Sequence, residues 1–155
     1  MAKSSRRSVL LTRREKEVRP KWPPLRKALR QILEDHEIEG TLSVVLVADD
    51  DMSRLHEEFL GDPTPTDVLS FPLLDAEGPG PELDDAPFGE VVVSVETAAR
   101  EAARRGLPTE REVALYAIHG TLHLAGYDDH DSADRRVMRR LEKRYVEHYR
   151  RYGGE

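Results

Sequence analysis

Residues 41–48, TLSVVLVA, form an unbroken apolar and β-branched run. A strand with one wet face alternates in polarity, so a continuous run is expected of a strand covered on both sides. At 155 residues the chain can bury roughly 68–70% of its unfolded surface, enough for such a core. Two more runs read as strands: 66–71, TDVLSF, closed by Pro72, and 90–95, EVVVSV. Between them, 75–88 is rich in acid, Pro and Gly and reads as a surface loop.

Helical patterns interleave with the strands. Pro23 and Pro24 open one with Leu25, Leu29, Ile32 and Leu33 on one face, ending near Gly40. Asp50 or Asp51 can cap a short helix through Leu55 and Phe59, stopped by Gly61 and Pro63. A third helix is expected near 96–105, with Gly106 as its stop. Thr109-x-x-Glu112 is a capping-box pattern opening a helix that runs to Ala125. Asp131 or Ser132 starts the last helix, with Met138, Leu141 and Tyr145 facing inward. The expectation is an α+β fold: a small mixed sheet of about four strands with about five helices, read as one domain over 1–155. Residues 1–20 read as a basic N-terminal arm.

No apolar run approaches the roughly 18 residues of a membrane span. The apolar stretch Val9–Leu11 is too short for a signal peptide, so a cytoplasmic protein without membrane contact is expected. The net charge of −6 hides a strong segregation. Residues 1–30 balance to +9, residues 31–134 to −20 and residues 135–155 to +5. A phosphate backbone responds to local patches, so the two basic ends remain compatible with RNA.

Chemistry concentrates in 119–131, HGTLHLAGYDDHD. His119 and His123 lie four apart on the expected helix, so their imidazoles share one face. Two such nitrogens can hold one Zn²⁺-like ion at roughly 2.0–2.1 Å each. Gly126 lets the chain reverse, and Asp128, Asp129 and His130 are all within reach as a third ligand. The chain has no Cys, so any metal site must be built from His and carboxylate. Three protein ligands with an open position define a catalytic site, placed here at the end of a central helix. The zinc-peptidase pattern HExxH fails, because Gly120 stands where its general base belongs.

The segment HGTLHLAGYD, with PTDVLSFP at 65–72 and GEVVVSVETA at 89–98, resembles the YbeY family of metal-dependent endoribonucleases. The resemblance runs in order from about residue 41 to 142. It implies an α+β fold with a four-stranded mixed sheet and one bound ion, Zn²⁺ or another divalent metal. It further implies single-stranded RNA as substrate, maturation of the small-subunit rRNA 3′ end, ribosome quality control, and the small ribosomal subunit or one of its proteins as partner. Members usually end the motif GYDH. Counting back from Met138, the family's third His falls on Asp129, with His130 one residue out of register. The expected ligands are therefore His119, His123 and Asp129, with His130 as the alternative.

The resemblance also places Thr66, Asp67 and Ser70 near the metal, and Asp67 or Asp128 could orient a His ligand. An Arg that members carry before PTDVLSFP falls on Leu60; Arg54 lies nearby in sequence, and Arg104, Arg105 or the two basic ends are possible substitutes for phosphate binding. This departure and the carboxylate ligand sustain a second reading, a ribosome-associated RNA-binding module with a structural metal and weak or no catalysis. His36, His56 and His148 read as surface residues, and Trp22 and Tyr116 as packing groups.

Overall fold

The computed structural model describes residues 6–14, 22–61, 66–73 and 86–155. Among the described residues nine elements follow in order: β1 (Arg7–Arg13), α1 (Trp22–Asp35), β2 (Gly40–Val47), α2 (Asp49–Leu60), β3 (Val68–Pro72), β4 (Pro87–Ser94), α3 (Val95–Arg105), α4 (Thr109–Leu124) and α5 (Ser132–Arg151). The four strands form one mixed sheet in the order β1-β2-β4-β3, in which only the β3–β4 pair is antiparallel. The fold is the expected α+β arrangement. Most of the expected acidic loop, residues 74–85, lies outside the described residues.

The run at 41–48 becomes β2, in which every residue from Leu42 to Val47 is buried. Its side chains alternate between two unequal cores. Leu42, Val44 and Leu46 join Val9, Val91 and Val93 in a core completed by residues of α1, α3, α4 and α5. Val45 and Val47 join Leu69 and Val92 under Met52 of α2, with Leu55 and Phe71 partly buried beside them.

One departure concerns the basic arm. Residues 7–13 form the edge strand β1, paired in parallel with β2 from Arg7↔Gly40 to Arg13↔Leu46. Val9 is buried and Leu10 exposed, the alternation expected of an edge strand with one covered face. Basic residues at its two ends disguise it, because charged ends suit an edge.

Two expected caps are also absent. Helix α4 starts after Pro108 without a side-chain cap, and Glu112 turns toward Arg105 at 3.4 Å, where its side chain is buried. Helix α2 likewise has no side-chain cap. Instead Asp49, Asp50 and Asp51 fill its first turn, where the helix dipole favours negative charge. The Asp131 cap is present: its carboxylate accepts from the Asp134 amide at 2.7 Å.

Candidate metal centre

Helix α4 is the central helix, and its seating on the sheet decides where the imidazoles stand. A Cβ at Gly120 would lie 2.6 Å from Val91 Cγ1, 2.9 Å from Ser70 Oγ and 3.1 Å from Val68 Cγ2. The helix therefore touches β3 and β4 with its backbone at position 120, and Ser70 Oγ donates to the Gly120 carbonyl at 2.9 Å. Gly89 on β4 makes a second close approach, where a Cβ would meet Leu124 Cδ1 at 2.9 Å. With Gly120 pressed on the sheet, His119 and His123 project together from the flank of the helix.

After Leu124 the chain reverses through Gly126, whose φ of 109° only glycine adopts without strain. Tyr127 anchors the reversal. Its hydroxyl lies 2.9 Å from His36 Nε2, while His36 Nδ1 lies 2.8 Å from the Ile32 carbonyl. A carbonyl can only accept, so Nδ1 carries the proton and Nε2 accepts the Tyr127 hydroxyl. His36, expected at the surface, is thus a half-buried strut. Arg135 supports the other side of the turn, donating to the His130 carbonyl at 2.9 Å.

The reversal returns Asp129 to the imidazole pair. His119 Nε2 and His123 Nε2 are 3.0 Å apart, and Asp129 Oδ2 lies 3.6 Å from the first and 3.7 Å from the second. This is the one group of three or more among the described residues whose ligand atoms converge closely enough for a metal ion. Donors about 2.0–2.2 Å from a shared ion must stand at separations of this size. Two ring nitrogens aimed at each other with a carboxylate alongside also suit a cation between them, so the donor set fits a divalent metal. His130 points away: 84% of its side chain is exposed, and its nearest carboxylate is Asp128 at 3.8 Å. Neighbouring residues in an extended turn face opposite ways, so only one of the two reaches the pair. Asp128 faces His130 and does not orient a ligand.

The residue that orients His119 is one that sequence reasoning missed. Glu142 on α5 accepts from His119 Nδ1 at 2.6 Å. A proton held on Nδ1 leaves the Nε2 lone pair free to face Asp129 and His123, the state a metal ligand requires. Burial works against the charged imidazole, but the Glu142 hydrogen bond and the nearby carboxylates outweigh it and raise the His119 pKa. A sequence signal for Glu142 existed, since it stands one turn after Met138, beside Leu141 in an otherwise apolar stripe. Asp67 is an exposed residue that acts on His119 only through its charge.

Arg54, Arg104 and Arg105 are not shown at the trio. Arg54 pairs with Asp51 on its own helix, Arg104 pairs with Glu101, and Arg105 bridges Glu101 and Glu112. Leu60 closes α2, and its side chain lies outside the described residues.

Fold and site together define a class: an α+β domain whose central helix and following turn bring two imidazoles and a carboxylate to one point. Comparison with known proteins narrows this. The family described as Endoribonuclease YbeY matches residues 11–150. Relatives carrying that name include one from Cutibacterium acnes, 40% identical over 107 residues, covering 68% of this chain and 69% of the relative. One from Heliobacterium modesticaldum is 42% identical over 122 residues, covering 74% and 70%. The solution structure of TM1509 from Thermotoga maritima superposes with a TM-score of 0.64 at 28% identity, covering 91% of this chain and 88% of that one. The chain belongs to the YbeY family of endoribonucleases.

Proposed function

We propose that this protein is a single-strand-specific endoribonuclease that acts in the cytoplasm on small-subunit rRNA, in 3′-end maturation and ribosome quality control, with one Zn²⁺ at His119, His123 and Asp129. The observation that carries the reading is the converging trio, with Glu142 holding His119 in the ligand tautomer. A divalent ion bound there supplies Lewis acidity, lowering the pKa of water and polarising a phosphoryl oxygen. The protein's own part is positional. Glu142 and the α4 backbone fix His119, the helix fixes His123, and the Tyr127–His36 strut with Arg135 fixes the turn that carries Asp129. As third ligand, Asp129 would place a negative charge among the donors that three neutral imidazoles would not supply.

The test uses Zn²⁺-loaded protein and an unstructured RNA. Cleavage by the wild type and its loss in His123→Ala are expected; equal cleavage by both points to a contaminant and sinks the proposal. A second reading, a ribosome-associated RNA-binding module with a structural metal and weak or no catalysis, draws on one observation: Arg54 pairs with Asp51 on its own helix. It predicts stoichiometric Zn²⁺ and RNA binding without cleavage.

A further inference from the structure

A groove of about 730 Å³ runs between α4 and the outer flank of α5, lined by seven basic side chains and two carboxylates. Leu115 and Val146 contribute its apolar lining. Arg105 is engaged by Glu101 and Glu112, and Arg111 donates to the Glu155 carbonyl at 3.1 Å. Arg139, Arg140, Lys143 and Arg150 are exposed and have no ion-pair partner among the described residues. Arg139, Lys143 and Arg150 follow one another at intervals of four and seven residues, so they share one flank of α5 over about 16 Å. Like charges at such spacing destabilise a helix, so folding alone does not account for the stripe. A nucleic-acid strand carries several phosphates over that length.

The groove adjoins the metal centre through one residue. Glu142 lines it, and the same carboxylate accepts from His119 Nδ1. We infer that this groove binds the phosphate backbone of the single-stranded RNA substrate, holding the strand one side chain away from the trio. The inference rests on RNA being the substrate. It replaces an arginine clamp at the cleavage point with an extended cationic track beside it. Among the described residues no aromatic side chain lines the groove, so binding is independent of base identity and strongly salt-dependent.

The test is fluorescence anisotropy of the full chain with a labelled single-stranded RNA in chelator, where cleavage does not interfere. The variant Arg139→Gln/Lys143→Gln neutralises two groove cations at exposed positions. Expected are affinity lower by about tenfold at low salt and a slope of log K on log salt shallower by about 1.4. Poly(A) and poly(U) should be affected alike, and Zn²⁺ stoichiometry should not change. The exchange Arg139→Lys/Lys143→Arg should bind as the wild type does. A control, Arg26→Gln/Arg30→Gln on α1, should change affinity less than twofold. Wild-type binding by the groove variant, or equal loss in the control, overturns the inference. If the groove variant binds normally while His123→Ala still abolishes cleavage, the groove fails and the nuclease reading stands. If binding depends on the groove but the wild type never cleaves, the groove stands and the nuclease reading fails.

Discussion

The two faces of the sheet differ in depth. One packs Leu42, Val44, Leu46, Val91 and Val93 into a core shared with α1, α3, α4 and α5, and α4 carries two members of the His119–His123–Asp129 trio. The other packs Val45, Val47, Leu69 and Val92 beneath α2 alone, and leaves Phe59 57% exposed against Phe71. Polar contacts add to the shallower side. Asp49 at the start of α2 accepts from Ser94 Oγ at 2.5 Å and Thr97 Oγ1 at 3.0 Å, and pairs with Arg100 at 2.9 Å. The deep face spreads its packing over several helices, whereas the shallow face joins a small apolar cluster to the Asp49 contacts at the start of its one helix.

That contrast can be broken by measurement. Leu46 and Met52 are both fully buried, on opposite faces. Leu46→Ala should cost about 4 kcal/mol and Met52→Ala about 2 kcal/mol in denaturant unfolding, since α2 can settle into its cavity more easily. Equal losses would mean that the faces are equally rigid. Gly120→Ala adds a methyl where Val91 leaves no room. Overpacking of up to about 3 kcal/mol should exceed the gain of up to about 1 kcal/mol in helix propensity, a net loss of about 2 kcal/mol. Glu142→Gln should leave the fold intact but weaken Zn²⁺ binding about 10–100-fold in a chelator competition.

The smallest effect concerns acid. Burial opposes the Asp49 charge, yet its bonds to Ser94, Arg100 and Thr97 prevail and hold its pKa below the ordinary 3.8. A carboxylate depressed in the folded state stabilises above its unfolded pKa, and that stability is lost as pH falls through the folded value. Asp49→Asn should therefore be less stable than the wild type above about pH 4, with the gap closing in stronger acid. A gap independent of pH would show that packing, not charge, ties α2 down.

The sequence was most readable where one local pattern decides the outcome. The β2 run and the His119–His123 spacing each mark a single element, and both appear in the structure as the pattern requires. Asp129 and His130 needed the turn itself to separate them. Strand β1 was hidden because only Val9 among its residues is buried and basic residues flank it. Thr109-x-x-Glu112 misled because Arg105, at the end of the preceding helix, competes for the carboxylate. Glu142 and His36 escaped because their partners are 23 and 91 residues away. Only packing of α5 on α4, and of the turn on the end of α1, brings them together.

The contact at Gly120 also bears on what this scaffold can be engineered to do. A zinc peptidase carries its base directly after the first histidine, an address that here faces Val91, Ser70 and Val68. Installing a glutamate there would pry the helix from the sheet before it could reach water. A designer seeking peptide hydrolysis would have to recruit the base from the solvent side, in the turn after α4 or on α5. The repertoire open to this fold is thus bounded by how closely one helix lies on two strands.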